Sequence, residues 1–132
     1  MTEQQTPEDR TLAVAVRTLA ARKAARLVVL DLRDKTSFTD FFVVCHGESD
    51  RQVRTLAEDV IVKVKQETNR RPAVEGLAVA EWVLLDYGDF LVHIFSSAAR
   101  EFYRLENLWG DAAHVDPRAF AAPARDRGPT SR

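Results

Sequence analysis

The chain has 132 residues, enough for one hydrophobic core and too few for two ordinary domains. Hydrophobic residues make up 45% and charged residues 30%, a globular balance, and the single cysteine, Cys45, rules out an internal disulfide. A formal net charge of −1 lacks the basic excess of proteins that grip bare DNA or RNA, so no direct DNA binding is expected; a protein partner that itself sits on RNA stays open.

Thr6-Pro7-Glu8-Asp9 is a helix start: Thr6 can cap, Pro7 suits the first helical position, and two acids favour the positive end of the dipole. Leu12, Val16, Leu19 and Ala20 then share one face, and the helix is expected to end near Ala25. Residues 27–32 read as an almost wholly apolar strand, which predicts burial on both sides. After a polar connection, residues 40–46 form a second strand, with Cys45 inside it as a small buried hydrophobe. Ser49 and Gln52 make a capping box for a helix reaching about Thr68. Val53, Leu56, Ala57, Val60 and Val64 form its apolar stripe.

Residues 73–79 fit either a short strand or an extended loop through Gly76. Two strands follow, around Gly88-Asp89, as a hairpin over residues 82–95. Ser96 or Ser97 can cap a last helix carrying Phe102, Leu105, Leu108 and Trp109, with Gly110 as its terminator. From His114 the composition shifts to proline, alanine and arginine. Residues 118–132 hold four arginines against Asp126 alone. The expected division is a folded domain over residues 1–113 and a flexible tail over residues 114–132. The element order predicts an α/β fold: a three-layer domain with a mixed sheet flanked by helices. No apolar run approaches the roughly 20 residues of a membrane span. Met1-Thr2-Glu3-Gln4-Gln5 has no signal-peptide character, so a cytoplasmic protein is the simplest expectation.

The hairpin is the most informative segment. By the two-residue period, Trp82, Leu84 and Asp86 share one face, and Val83, Leu85 and Tyr87 the other. A tryptophan in line with a carboxylate beside a turn either caps the core or anchors a contact surface, and the pattern leaves both open. Asp40 among Phe38, Phe41 and Phe42 repeats the pairing of acid with aromatic, as do Glu101 and Glu106 near Tyr103 and Trp109. Charged rims around aromatic anchors are the anatomy of a protein interface, and also of an ordinary amphipathic surface.

Signals for catalysis are missing. His46, His93 and His114 stand in no metal-ligand spacing, the five glycines are not clustered into a phosphate loop, and no Gly-x-Ser-x-Gly elbow is present. Gly47-Glu48-Ser49 before a helix is reminiscent of nucleotidyltransferases. Those enzymes need paired acids two apart on a strand to hold magnesium, whereas Asp86 and Asp89 are three apart across a turn. The reading is a binding module with no catalytic residues, no metal and no cofactor. The alternatives are a degenerate nucleotidyltransferase-type, nucleotide-binding enzyme and a self-associating structural protein.

A longer set of segments is more specific. It comprises Leu30-Asp31-Leu32, Ser37-Phe38-Thr39-Asp40-Phe41-Phe42-Val43-Val44, Gly47-Glu48-Ser49-Asp50-Arg51-Gln52-Val53 and Val74-Glu75-Gly76. It continues through Trp82-Val83-Leu84-Leu85-Asp86-Tyr87-Gly88-Asp89, Val92-His93-Ile94-Phe95 and residues 100–111. Together these resemble the ribosomal silencing factor family, also called Iojap, in one continuous order over roughly residues 8 to 112. The resemblance implies a cytoplasmic bacterial protein, a nucleotidyltransferase-like fold without the catalytic acids, and binding to ribosomal protein L-fourteen on the large ribosomal subunit. It further implies that the small subunit is kept from joining, that translation is damped in starvation or stationary phase, and that the free protein is a homodimer. Carried over by position, Trp82, Asp86, Tyr87 and Asp89 are the expected contact residues, with Phe38 and Asp40 as a second set. Phe41-Phe42 stands where Tyr-Phe is more usual in the family, and Gln52 where histidine is frequent.

Overall fold

A computed structural model of the chain describes residues 7–120, with side chains from Arg10 onward. The elements in chain order are helix α1 (Pro7–Ala21), strands β1 (Ala25–Asp31) and β2 (Phe41–Gly47), helix α2 (Asp50–Thr68), and strands β3 (Ala73–Glu75), β4 (Trp82–Asp86) and β5 (Phe90–Ser96). Helices α3 (Ser97–Tyr103) and α4 (Leu105–Leu108), strand β6 (Ala113–Val115) and a 3-10 helix (Pro117–Phe120) complete it. One six-stranded sheet runs in the order β3-β4-β5-β2-β1-β6. Its central pair, β2 and β5, is parallel, and the other neighbours are antiparallel. This is the mixed, helix-flanked α/β architecture that the alternation of elements predicts.

The two faces of the sheet are covered unequally. On one face α1 and α2, 15 and 19 residues long, close the main core. Leu12, Val16 and Leu19 of α1 meet Val53, Leu56, Val60 and Val64 of α2 there, above Val43, Val83, Leu85, Val92 and Ile94. The α2 stripe is the expected one, and Ser49 caps the helix by accepting from the Gln52 amide at 3.1 Å. The Gln52 carboxamide accepts in return from the Glu48 amide at 2.7 Å, one residue outside the expected reciprocal bond. On the other face, among the described residues, α3 and α4, seven and four residues long, pack down. A helix rises about 1.5 Å per residue and a strand about 3.3 Å. These short helices therefore cover only part of strands that are seven residues long.

Several elements depart from expectation. Helix α1 stops at Ala21 rather than near Ala25, because Lys23 turns into the left-handed region at φ 62°. The Ala24 amide then donates to the Leu19 carbonyl, closing the helix end. The cap expected from Thr6 lies outside the described residues. The ambiguous segment resolves into both readings: β3 is a three-residue edge strand, followed by a turn in which the Ala80 amide donates to Gly76 O. The single last helix is broken at Arg104, whose φ of 48° ends α3 and starts α4.

Residues 114–120, expected to belong to a flexible tail, are folded instead. Strand β6 pairs along β1, with Val29 opposite Val115, and Phe120 packs against the main core. The Phe120 carbonyl accepts from Arg17 Nη1 at 3.2 Å. The rest of the expected tail, residues 121–132, lies outside the described residues.

Gly76 illustrates how tightly the β3–β4 corner is built. Its φ is +85°, and a Cβ there would collide with the carbonyl oxygen of Trp82. Gly88 in the hairpin turn has a similar φ of +92°, but open space surrounds it. Gly76→Ala is therefore expected to cost about 2–3 kcal/mol, and Gly88→Ala only about 1 kcal/mol of backbone strain. Urea denaturation of the two variants side by side checks the ranking.

Candidate docking face

The thinly covered face carries the sequence-predicted residues. Across it, Trp82, Leu84 and Asp86 of β4 lie opposite Phe95, His93 and Leu91 of β5. Next to them in register are His46, Val44 and Phe42 of β2. Helices α3 and α4 shelter the β2 and β1 side, burying Ala99 and Leu105 with Phe42, Val44, Leu30 and Phe95. Toward β4 the cover runs out. Trp82, Leu84 and Leu91 are half-buried there. Beside them stand Phe38 at 60% exposure, next to Phe42, and Phe102 at 78%, next to Tyr103. Monomeric proteins seldom leave so many large apolar groups together in water.

Aromatic rings knit this surface. The ring of Tyr103 lies 4.8 Å from that of Trp82, which is itself 4.9 Å from Phe95. Phe42 meets His93 edge-on at 4.5 Å, Trp109 at 6.0 Å and Phe38 at 6.3 Å. Trp82 packs half of its surface on the core and turns the other half outward. Its Nε1–H donates to Nδ1 of His93 at 3.1 Å, which fixes the indole across the β4–β5 pair. Because His93 Nδ1 accepts, its proton sits on Nε2, which is buried without a partner. Burial alone pushes the His93 pKa down to about 4, so the ring is neutral at physiological pH.

The two sequence motifs meet at the hairpin turn. The Asp40 amide donates to Asp89 O at 2.8 Å, and the buried Thr39 hydroxyl donates to Gly88 O at 3.2 Å. This zipper holds Phe38 and the exposed Asp40 beside Asp86 at the amino ends of β2 and β5. Asp86 is exposed, and its carboxylate accepts from the Gly88 amide at 2.8 Å, a local turn bond that fixes its position. The result is an apolar strip with a carboxylate pair at one end.

Two of the expected contact residues are not on that strip. Tyr87 points to the opposite face, where it is 5% exposed and stacks on Phe90 at 4.9 Å. Its hydroxyl is buried without a partner, and burial raises its pKa further. Asp89 is engaged internally, accepting from Arg70 Nη2 at 3.0 Å, and the same guanidinium donates to Tyr87 O at 2.6 Å. Both residues shape the turn from behind. The strip also contains Leu84, which the sequence reading placed on the same face as Trp82 and Asp86, and Tyr103, which it paired with nearby acids. Leu91, His93 and Phe102 are further members that it did not single out as contacts; the exposure of Phe102 follows from the helix break at Arg104.

Other groups have closed, structural surroundings. Cys45 is fully buried, and burial pushes its thiol up to about 12, so it is no nucleophile at neutral pH. Asp86 and Asp89 are drawn apart, the first to a backbone amide and the second to Arg70.

Comparison with other proteins agrees with this architecture. The chain is 37% identical over 105 residues to the ribosomal silencing factor of Halalkalibacterium halodurans, covering 80% of this chain and 90% of that protein. It is 35% identical over 105 residues to the ribosomal silencing factor of Bacillus subtilis, covering 80% and 89%. Among solved structures, a Chromobacterium violaceum protein superposes with a TM-score of 0.74 at 35% identity, over 80% of this chain and 88% of that one. A Bacillus halodurans protein does so with a TM-score of 0.68 at 38% identity, over 80% and 95%. Residues 3–132 match the family described as "Ribosomal silencing factor during starvation", and the chain belongs to that family.

Proposed function

We propose that the chain is a non-enzymatic, cytoplasmic antiassociation factor that docks its open strip on ribosomal protein L-fourteen of the large subunit. Occupying that surface keeps the small subunit from joining, so translation is damped under starvation or in stationary phase without any chemical step. The observation that carries the reading is the strip itself: Trp82, Leu84 and Leu91 half-covered, Phe38 and Phe102 exposed, and Asp40 and Asp86 at one end. An apolar centre with a charged rim is how protein interfaces are built. Ribosomal proteins are commonly basic, so carboxylates on the rim would speed and orient docking. When the protein is free, a second copy is the natural cover for the same strip, and homodimer and ribosome complex would then compete.

The test is co-sedimentation with isolated large and small subunits, followed by addition of the missing subunit. Binding to the large subunit alone, with fewer joined ribosomes, is the expected result. Loss of an aromatic anchor typically costs about 2 kcal/mol, or roughly 30-fold in affinity, which is the expectation for Trp82→Ala. Phe38→Ala and Asp86→Lys should weaken docking while leaving the melting temperature near that of the parent, because both side chains are exposed. Full binding by all three variants would move the interface off this face. Binding to neither subunit at micromolar protein would remove the ribosome from the account.

A further inference from the structure

A second site lies at the other end of the sheet. Strands β2 and β5 are parallel neighbours, but the chain leaves them in opposite directions: α2 follows β2 onto the main core face, and α3 follows β5 onto the thin face. In open α/β sheets a crevice forms where such connections diverge, beyond the carboxyl ends of the strands, and ligands bind there. Here a cavity of about 240 Å³ is lined by Arg26, Arg100, Glu101, Arg104, Glu106 and Asn107.

Three local irregularities converge on this cavity. Strand β1 shifts register between Ala25 and Val28, and Arg26 within that bulge has a φ of 48°. Arg104, at the joint of α3 and α4, also has a φ of 48°. Left-handed backbone at a residue with a side chain costs free energy and concentrates at functional sites, and bulges re-aim side chains beside such sites. The third feature is Arg100, only 3% exposed. It donates through Nε and Nη2 to Glu106 Oε2 at 3.1 and 2.7 Å, and through Nη1 to Ala25 O at 3.1 Å and His46 Nδ1 at 3.2 Å.

Four of the five N–H groups of Arg100 are thereby engaged, and it turns Glu106 inward. Glu106 Oε2 is held by Arg100, and Oε1 is buried without a partner. The outer wall is left with two exposed arginines. Arg104 donates Nε to Glu101 O at 3.2 Å and has no ion pair among the described residues, while Arg26 only approaches Glu106 at 4.0 Å. Asn107 adds amide donors beside them. Two guanidinium groups with spare donors, fixed by strained backbone around a concave space, suit a tetrahedral oxyanion.

We propose that this cavity binds the phosphate group of a small phosphate monoester. A free nucleotide and an RNA strand both carry phosphate. The small concave shape favours the compact, terminal, more highly charged group of a small molecule, and the chain's net charge of −1 offers no basic excess to hold an extended strand.

Adenosine 5′-monophosphate, adenosine and a ten-nucleotide RNA without terminal phosphates are titrated separately into the full chain at low salt, followed by amide chemical shifts. The expected result is saturable binding of the monophosphate, with shifts centred on residues 26, 104 and 107, and none by adenosine. Arg26→Gln and Arg104→Gln should each weaken it about tenfold, the loss typical of a charge-assisted hydrogen bond. Both side chains are exposed, and an unchanged melting temperature shows that the variants fold. No binding at millimolar monophosphate, equal binding by parent and variants, or binding of the RNA alone would each overturn the proposal. No ribosome takes part, so failure here leaves the docking reading untouched.

Discussion

Arg100→Met is expected to destabilise the protein by about 3–5 kcal/mol, the usual result of removing one member of a buried ion pair. The loss reaches beyond the pair. The guanidinium ties the start of β1, through Ala25 O, to the end of β2, through His46, and both to α4, through Glu106. Burial is the largest single influence and works to raise the Glu106 carboxyl, but the hydrogen bonds from Arg100, a backbone hydrogen bond and the charges of Arg100 and Arg26 together hold it below its ordinary value. Without Arg100 that carboxylate keeps only the distant, exposed Arg26 as counter-charge, and α4 loses its anchor. The double variant Arg100→Met/Glu106→Leu should recover most of the stability, since replacing both partners by apolar groups leaves no buried charge. Urea unfolding with unchanged m-values would measure both effects. A single-variant loss below about 1 kcal/mol would place the pair among weak surface contacts instead.

The second large effect is an acid-sensitive stability that originates at His93. Its folded pKa is depressed from 6.5 to about 4, so the unfolded chain takes up the proton first. Stability from the neutral, buried ring is fully present above pH 6.5 and is lost as pH falls toward 4. The shift corresponds to about 3 kcal/mol over the whole window and about 2 kcal/mol between pH 7 and 5. His46 moves in the same direction, lowered first by burial and then by the charge of Arg100. His93→Gln keeps an acceptor for Trp82 Nε1–H but cannot titrate, so its unfolding free energy should fall less steeply between pH 7 and 5. An equal slope for parent and variant would put the acid sensitivity elsewhere.

Much of the fold was legible because local and long-range signals agreed. Helix α2 has a cap, an apolar stripe and a stop, and each appears where the sequence puts it. Strand β4 alternates between its two faces, and the hairpin turn holds residues that tolerate such backbone. What escaped notice was decided by tertiary contact. Ala113-His114-Val115 has no strand pattern and becomes β6 because the free edge of β1 supplies its hydrogen bonds. Arg104 breaks a segment whose composition favours continuous helix.

The docking strip was legible in part. Trp82 and Asp86 share one face of the sheet, and Asp86, Phe38 and Asp40 lie toward the same end of it, with Trp82 at the other end of β4. Tyr87 is not on that face, and alternation had already placed it with Val83 and Leu85. Its inclusion came from family position, which does not distinguish a residue that touches a partner from one that supports the turn. Asp89 escaped for a different reason: its partner, Arg70, is 19 residues away in sequence, and no local pattern joins them.

The central parallel pair also fixes the order in which the molecule can assemble. Phe41 of β2 lies against Phe90 of β5, 49 positions later, so the middle of the sheet closes only by joining distant segments. Loop closure of that kind is slow compared with helix formation or local hairpins. The β1–β2 hairpin and helices α1 and α2 can form early from neighbouring residues, but they have no β5 to complete the core. Of the open face, Phe38 and Asp40 come with the early segments, whereas Trp82, Leu84, Leu91 and Phe102 are synthesised after α2. A nascent chain therefore holds one edge of that face early and completes the rest only when β5 joins β2.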